Sequence, residues 1–435
     1  MALSGWFVLL LALGALPTFG LGAWGLLGWL VLCAVLVTID LIVAGSPRRL
    51  VLSRELPSRV RLGETVSSRL LVTNVGGRTV RGALRDAWQP SAGARPTRRR
   101  LAIPPGERRA STTLLTPTRR GERTAEHVTV RSFGPLRLAA RQATLAAPGA
   151  MRVLPPFHSR RHLPSLLARL RELDGRTSVM IRGQGTEFDS LREYVRGDDV
   201  RSIDWRATAR RRDPSGGMKL VVRTWRPERD RRVVLVLDTG RTSAARVADE
   251  PRLDTSFEAS LLLAALATRA GDRVDTLLYD RRVRGRVQGA TGPELLSRMV
   301  DTMAPTEADL IETDWSLVPG LVRQVTTHRA LVVLLTAIDT PGSARGLLAM
   351  LPELTRKHTV VVASAIDPGV LEAAASRTDR ESVYRAAAAE RALLDATRVS
   401  AAIRQSGGDV VTAAPLDLPK ALSERYIALK ATGRL

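Results

Sequence analysis

Residues 185–213 hold the densest group of side chains that could do chemistry. The stretch contains seven acidic and seven basic residues, so it is neutral within a chain of formal net charge +23. Glu187, Asp198 and Asp204 could act as acid–base residues. No nucleophile constellation of His, Cys or Ser stands nearby, however, and "RGQGTEF" lacks the lysine of a phosphate-binding loop. We therefore interpret the charges as arginine–carboxylate pairs that fix the segment in place or form a surface for a partner.

The apolar residues of this stretch predict a short helix. Phe188, Leu191 and Val195 are spaced three and four residues apart, as on one face of a helix. Gly197 follows at a position where a glycine commonly ends a helix. Acidic residues near the start of this helix and arginines near its end would suit the helix dipole.

A second short element is expected after the Gly-Asp-Asp turn. Ile203 and Trp205 are predicted to face inward from it. The charges that remain can pair locally. We expect Asp198 or Asp199 to pair with Arg201, and Asp204 to pair with Arg206 or Arg210.

A second group of carboxylates lies in the C-terminal part of the chain. Asp238, Asp280, Asp339 and Asp367 each stand where an apolar run ends, and in a parallel sheet ligands bind at such strand ends. Carboxylates gathered there could hold a hard cation. Aspartate is also favoured simply where a strand enters a turn or a helix cap. For Asp280 and Asp367 we prefer that second interpretation.

Residues 230–435 are predicted to form the α/β domain that positions these aspartates. "RRVVLVLD" (231–238) and "HRALVVLLTAID" (328–339) are continuous apolar runs, typical of buried parallel strands. "FEASLLLAALATRAG" (257–271) predicts a helix that stops at its glycine. Strands and helices alternate to the end of the chain, which predicts a doubly wound sheet.

Residues 50–150 are predicted to form a small β-sandwich. Short alternating stretches are separated by turn signals such as "LGE" (62–64) and "NVGG" (74–77), and such a series is typical of a sandwich. No cluster of His, Asp and Glu stands out, so we expect a scaffold or a binding surface. Residues 151–229, which contain the charged stretch, form the segment between this module and the α/β domain.

Residues 1–45 predict a membrane anchor. They contain no Lys, Arg or Glu and one acid, Asp40, which we expect at the membrane interface. A helical span needs about 20 apolar residues. The run therefore suits two spans, roughly Ala2–Leu16 and Leu21–Ala44, with a turn at "LPTFGLG" (16–22). A signal peptide is disfavoured because its basic n-region is absent.

The residues after the anchor predict its orientation. Arg48 and Arg49 follow the apolar run directly, and by the positive-inside rule this end faces the cytoplasm. The sequence thus predicts a cell-membrane protein whose two-span hairpin lies in the lipid bilayer and whose soluble domains are cytoplasmic.

The excess of Lys+Arg (66) over Asp+Glu (43) does not predict nucleic-acid binding. Arginine is spread along the whole soluble part, with local concentrations at 95–101 and 226–232. We interpret this as a compositional bias, and we expect no nucleic-acid partner. The single cysteine, Cys33, excludes a disulfide within the chain and a Cys-based metal site.

The charged stretch resembles the signature of the domain-of-unknown-function 58 family. The matching residues are Gly185, Glu187, Phe188, Leu191, Arg192, Tyr194, Gly197, Asp198, Arg201, Ile203, Asp204, Trp205, Ala209 and Arg210. The resemblance covers nearly the whole chain: a hairpin anchor, a β module, the signature, and an α/β domain similar to von Willebrand factor type A domains.

The resemblance implies partners and no established enzymatic activity. Proteins of this family tend to be encoded near MoxR-type AAA+ ATPases and membrane-bound transglutaminase-like proteins. The resemblance therefore implies an accessory role beside an ATPase.

Type A domains often bind Mg²⁺ through Asp-x-Ser-x-Ser after the first strand, with a distant Thr and Asp. The corresponding stretch here is "DTGRT", in which Asp238 matches, Thr242 can replace the second serine, and Gly240 lacks the first hydroxyl. A later strand should end in Thr-Asp or Ser-Asp, and here the sequence reads Thr336-Ala337, with Asp339 two residues late. Because oxygen ligands are missing, we expect no functional metal site and no cofactor.

Three functional hypotheses follow, in decreasing order of preference. The first is a membrane-anchored adaptor for an AAA+ ATPase. The second is a metal-dependent, adhesion-type domain that binds ligands through Asp238 and Thr242. The third is an enzyme, which the motif content disfavours.

Overall fold

The computed structural model describes residues 1–180, 187–196, 198–210, 219–226 and 231–435. Within these ranges it describes all side chains except those of residues 17, 18, 21, 174–180, 187–189 and 224–226. The chain divides into two compact units, Met1–Pro156 and Phe157–Leu435.

The first unit contains two apolar helices and ten strands among its described residues. Their bounds are β1 (Ala2–Leu3), α1 (Gly5–Ala12), α2 (Ala15–Val43), β2 (Leu50–Glu55), β3 (Arg59–Arg61), β4 (Val66–Asn74), β5 (Val80–Trp88), β6 (Ala94–Arg95), β7 (Arg98–Ile103), β8 (Arg108–Leu115), β9 (Gly121–Phe133) and β10 (Ala139–Leu154).

One described helical segment, Gly22–Arg49, could cross a membrane by its length and composition, with a mean hydropathy of 2.6. The predicted turn at residues 16–22 is largely helical, because Pro17 lies in the first turn of α2, where proline is tolerated. The break comes at Gly22, whose φ of 56° is left-handed. The predicted first span contains α1, which at eight residues is only about 12 Å long. The two-span hairpin therefore stays a prediction.

Asp40, near the end of α2, is buried against the β module. Its carboxylate accepts hydrogen bonds from the backbone amides of Leu136 (2.9 Å), Leu138 (2.8 Å) and Ala139 (3.0 Å). Leu136 and Leu138 lie in the turn between β9 and β10, and Ala139 is the first residue of β10. The acid expected at the interface thus joins the apolar helix to this turn.

The strands of the first unit form two sheets. One has the order β1-β10-β9-β5-β7, with β3 also paired to β10, and the other has the order β2-β4-β8-β6. Leu70 and Val72 of the second sheet share a buried cluster with Leu84, Val128 and Val130 of the first. This shared core is the packing expected of a sandwich.

The second unit contains the remaining elements. Their bounds are α3 (Leu163–Met180), β11 (Glu187–Glu193), α4 (Trp205–Arg210), β12 (Val221–Arg226), β13 (Arg232–Asp238), β14 (Arg246–Val247), β15 (Glu250–Pro251), α5 (Arg252–Arg269), β16 (Arg273–Tyr279), β17 (Val283–Val287), α6 (Gly292–Met303), α7 (Val318–Val325), β18 (Leu331–Leu335), α8 (Arg345–Thr355), β19 (Thr359–Ala365), α9 (Pro368–Ala375), α10 (Arg380–Gln405), β20 (Asp409–Ala413) and α11 (Leu418–Ala431).

The main sheet of this unit has the order β17-β16-β13-β18-β19-β20. β16, β13, β18, β19 and β20 run parallel, and β17 is an antiparallel edge strand. Residues of α7, α8 and α10 share one buried cluster with the sheet, and α5 and α11 contact each other and strands of the same sheet. The alternation of strands and helices expected for residues 230–435 is present, while the doubly wound arrangement stays a prediction.

The order of this sheet places a topological switch point beside β13. The chain passes from β13 to β16 on one side and later returns to β18 on the other side. In open α/β sheets, ligands bind at such a switch point, outside the carboxyl ends of the strands. Asp238, the last residue of β13, lies at this place.

Candidate functional site

The signature segment contains a strand where the sequence predicts a helix. β11 pairs with β12 in a two-stranded antiparallel sheet, with a register shift between Phe188 and Ser190. A bulge adds one residue to a strand and shifts its alternation, so apolar positions can recur at a spacing of three. The bulged strand therefore shows the same spacing of apolar residues that predicts a helix. Glu187 and Phe188 lie in this strand, their side chains are outside the described part, and Gly197 lies outside the described residues.

Arg192 and Asp198 form a bidentate ion pair. Arg192 Nη1 and Nη2 lie 2.7 and 2.6 Å from the two carboxylate oxygens of Asp198. The same carboxylate accepts a hydrogen bond from the Val195 amide at 2.9 Å. The hydrogen bond to Asp198 raises the pKa of Arg192. The bidentate pair joins Arg192 of β11 to Asp198, six residues later in the chain.

Asp204 joins α4 to β12. Its Oδ1 accepts hydrogen bonds from the amides of Arg206 and Ala207, both at 3.0 Å, and its Oδ2 accepts one from Arg223 Nε at 2.8 Å. The Ala207 amide, followed by the Arg223 side chain, lowers the pKa of Asp204. Asp204 is therefore an ionised residue at the helix start, where a carboxylate stabilises free amides.

The predicted local ion pairs were partly wrong. Asp198 pairs with Arg192, and Asp199 accepts a hydrogen bond from the Arg201 backbone amide rather than from its side chain. Asp204 pairs with Arg223 of β12. Local spacing cannot find this partner, because a bridge between Ile203 and Val222 and a hydrogen bond from the Asp204 amide to the Val221 carbonyl bring Asp204 to β12.

Trp205 is exposed, so the prediction that it faces inward is wrong. It is 61% exposed, and Leu191 (44%), Val195 (62%) and Val200 (62%) are also exposed. Trp205 is the first residue of α4, directly after Asp204, and a helix this short has little core face. We call Leu191, Val195, Val200 and Trp205 the signature surface. Of the other motif residues, Tyr194 and Ile203 are half-buried, and Arg201 and Arg210 are exposed.

Three threonine hydroxyls converge on Asp238 at the end of β13. Its Oδ2 accepts hydrogen bonds from Thr336 (2.6 Å) and Thr242 (3.1 Å), and its Oδ1 accepts one from Thr313 (2.5 Å). The Gly240 amide donates to Oδ1 at 2.8 Å. The structure thus brings together the two predicted residues, Asp238 and Thr242, and adds Thr313 from a later loop.

Asp339, a possible second carboxylate, is held by Arg252. Arg252 Nη1 and Nη2 lie 2.9 and 3.1 Å from its two oxygens, and Nη1 also donates to the Thr242 carbonyl at 3.1 Å. The Arg252 side chain is 7% exposed. A buried guanidinium therefore lies beside the Asp238 cluster and occupies Asp339.

The carboxylate at the neighbouring strand end, Asp280, is also held by hydrogen bonds. Asp280 accepts hydrogen bonds from the Arg281 and Arg282 amides and from the Thr239 hydroxyl (3.0 Å). This is the turn-capping role expected for Asp280, and Asp367 is likewise the N-cap residue of α9. Burial, with the charges of Asp314 and Asp280, raises the pKa of Tyr279 to about 12. Tyr279 is therefore protonated and cannot serve as a base near neutral pH.

The residues at β13 fit a divalent cation poorly. The cluster offers hydroxyl oxygens and one carboxylate, Asp238, while a hard cation favours several charged oxygens. Arg252 occupies Asp339, and its positive charge opposes a cation nearby. Within the described ranges, no group of three or more His, Cys, Asp or Glu side chains could hold a metal ion.

Two residues of this cluster were not placed by the sequence. Thr313 lies in a loop before α7, and Arg252 begins α5. Neither stands in a motif with Asp238, because only the order of the strands brings these loops together. The sequence offers one weak signal for such positions near Asp238, which is a polar loop that follows a buried strand.

Two solved structures show a distant likeness to parts of the chain. The SpRpn10 VWA domain is 8% identical, with 46% of this chain and 94% of that chain covered and a TM-score of 0.27. The CARDB domain of PF1109 from Pyrococcus furiosus is 17% identical, with 24% and 94% covered and a TM-score of 0.18. Both TM-scores are low, and neither structure establishes a fold or a ligand for this chain.

Sequence comparisons show uncharacterized relatives and one matching family model. The uncharacterized proteins Rv1480 of Mycobacterium tuberculosis and Mb1516 of Mycobacterium bovis are each 26% identical over 223 residues, which is 48% of this chain and 68% of theirs. The family model described as Protein of unknown function DUF58 matches residues 190–374. Over that part of the chain, the family resemblance carried by the signature motif is confirmed.

Proposed function

We propose that this protein is a membrane-anchored interaction module. It acts on the cytoplasmic face of the membrane beside a MoxR-type AAA+ ATPase, and it contributes a docking surface rather than a reaction. A membrane-bound transglutaminase-like protein is the second proposed partner. These partners rest on the family resemblance.

The apolar N-terminal helices support the anchor. From Gly22 to Val43, α2 rises about 31 Å, close to the thickness of the hydrocarbon core. Phe19 (91%) and Trp24 (82%) are exposed near one end of this segment, as aromatic residues at an interface are. Trp29 Nε1 donates to the Leu10 carbonyl at 3.0 Å, which supports a return of the chain at Gly22 and a two-span topology.

The signature surface carries the docking proposal. Its apolar side chains are exposed, while the Arg192–Asp198 and Asp204–Arg223 pairs hold the backbone beneath them. A preorganised surface loses little conformational entropy on binding, and exposed tryptophan is enriched where proteins dock. Ion pairs that hold a scaffold explain the matched charges better than acids free for catalysis do.

The docking proposal can be tested with the ATPase encoded in the same genome. The full chain in detergent should bind the purified ATPase, and Trp205→Ala should weaken that binding by about tenfold or more, as a central aromatic does. Leu416→Ala, which changes another exposed residue (70%) of the same unit, is the matched control. If Trp205→Ala is folded and binds the ATPase as tightly as the wild type does, the signature surface is not part of the interface.

Membrane topology is tested separately. The chain should resist carbonate washing, and a C-terminal reporter should be active only in the cytoplasm. Activity of a reporter that works only outside the cytoplasm would reverse the orientation and exclude a cytoplasmic ATPase.

A ligand-binding role at the end of β13 is the second candidate function. The convergence of Thr242, Thr313 and Thr336 on Asp238 favours it, since polar groups meet at the switch point of the sheet. An adhesion-type role through Mg²⁺ would need further oxygen ligands.

A further inference from the structure

A large cavity lies in the first unit, between the apolar helices and the outer face of the β module. Its volume is about 1070 Å³. Trp6 at the start of α1 and Val43 at the end of α2 line one side. Strands β5 and β7 line the other side. The cavity therefore borders the place where the apolar segment ends.

Arginines line the strand side of this cavity. In the β5–β7 register, Arg81 is opposite Ala102 and Ala83 is opposite Arg100. Because opposed residues and alternate residues share a face, Arg81 and Arg100 lie on the same face of the sheet. Buried Val80, Leu84 and Ile103 mark the other face. The two guanidinium groups are thus directed away from the core.

The positive charge in the cavity is mostly uncompensated. Arg78, Arg81, Arg100, Arg109 and Arg137 line it, and no lining residue is acidic. Arg109 pairs with Glu107 at 2.9 Å, and Arg78 donates to the Ile42 carbonyl in the last turn of α2. Within the described parts of the chain, no carboxylate pairs with the other three arginines.

The anchor helix itself positions one of these arginines. Arg137 has a φ of 58°, a left-handed conformation that is unusual for a residue other than glycine. Asp40 accepts the amide hydrogens of Leu136 and Leu138 on either side of it. The carboxylate near the end of α2 therefore holds the turn that carries Arg137 beside the cavity.

We propose that this cavity binds the headgroup of an anionic phospholipid of the surrounding leaflet. The arginines would bind the phosphate, and Trp6 and Val43, which are 65% and 47% exposed, would contact the acyl chains. An apolar wall that continues into a membrane-spanning helix, opposite a cationic wall, matches a lipid and not a soluble anion. The inference rests on the proposed membrane anchor.

Native mass spectrometry of the full chain in detergent tests the proposal. Phosphatidylglycerol should bind in preference to phosphatidylcholine. Arg81→Glu and Arg100→Glu should each lower its occupancy by roughly five- to tenfold, given the contribution of one arginine near an anionic lipid. Arg119→Glu is the matched control, because it makes the same change in charge at an exposed residue of the same unit that does not line the cavity.

Competitors identify the source of the phosphate. Inorganic phosphate at the same concentration should leave phosphatidylglycerol bound, and full displacement by it would make this a free-anion site and overturn the proposal. A DNA oligomer that binds the wild type but neither glutamate variant would assign the face to nucleic acid and also overturn it.

Carbonate washing separates failure of this inference from failure of the anchor. If the wild type stays in the membrane but shows no preference for phosphatidylglycerol, the lipid-site proposal is wrong and the proposed anchor stands. If carbonate washing releases the wild type, the anchor proposal is wrong, and so is the lipid-site proposal that rests on it.

Discussion

The Asp204 carboxylate joins two segments of the signature, since it lies 2.8 Å from Arg223 Nε on β12 and also binds the first amides of α4. An exposed ion pair alone contributes little to stability. Asp204 acts in addition as a helix cap, because it accepts the amide hydrogens of Arg206 and Ala207.

Asp204→Asn is expected to destabilise the folded chain at neutral pH. Since the folded-state pKa of Asp204 is lowered from its ordinary value of 3.8, its ionised form stabilises the fold above that value. The contribution is lost as the pH falls through the lowered pKa. The denaturant midpoints of wild type and variant should therefore differ at neutral pH and converge in acid.

A double-mutant cycle with Arg223→Gln separates the ion pair from the cap. The effects of the two substitutions should be less than additive. If Asp204→Asn has the denaturant midpoint of the wild type but no longer binds the ATPase, Asp204 contacts the partner directly and does not stabilise the fold.

The stability of the second unit should also depend on pH through His358. Burial, followed by the charge of Lys357, lowers the pKa of His358 from its ordinary value of 6.5. Its Nδ1 has no hydrogen-bond partner among the described residues. The unfolded chain therefore binds the proton more tightly, and stability is lost as the pH falls from 6.5 through the folded-state pKa.

Thermal unfolding above and below pH 6.5 checks this expectation. His358→Gln should flatten the pH dependence, and His328→Gln, which changes an exposed histidine, should leave it unchanged. Parallel profiles for wild type and His358→Gln would contradict the assignment.

The sequence predicted the strands of the α/β unit better than it predicted the sites. β13 and β18 were found because buried parallel strands are continuous apolar runs, and Asp238 was therefore placed correctly at a strand end. β11 was missed because its bulge imitates a helical spacing. Arg252 and Thr313 were missed because sheet order, which no local period encodes, brings them to Asp238.

Asp238 is expected to stabilise the loops around β13 without binding Mg²⁺ tightly. Asp238→Ala would leave three threonine hydroxyls without their acceptor. Thr336 is buried and Thr242 and Thr313 are half-buried, so the three unpaired hydroxyls should together cost about 3 kcal/mol. Calorimetry on the full chain should show no saturable Mg²⁺ binding, because Arg252 occupies Asp339 and the cluster has one carboxylate.

Thr313→Val is the milder companion, since it removes one of the three donors and should cost about 1 kcal/mol. Micromolar Mg²⁺ binding that disappears in Asp238→Ala would contradict this view. It would show that Asp339 leaves Arg252 to complete a metal site.

Asp40 offers a test of how the anchor is joined to the β module. Asp40→Ala removes the acceptor of the Leu136 and Leu138 amides, in the turn between β9 and β10, and of the Ala139 amide at the start of β10. Each amide that loses its buried acceptor costs about 1 kcal/mol or more, so the turn should open more often. Because this turn contains the exposed Arg137, trypsin should cleave the full chain after Arg137 about tenfold faster or more, as local opening predicts.

Thr38→Ala is the matched control, since Thr38 is an exposed polar residue of the same helix whose hydroxyl donates to the Ala34 carbonyl within that helix. Asp40→Asn, which keeps one oxygen acceptor, should give an intermediate rate. Equal cleavage of Asp40→Ala and the control would show that the turn holds its shape without the helix.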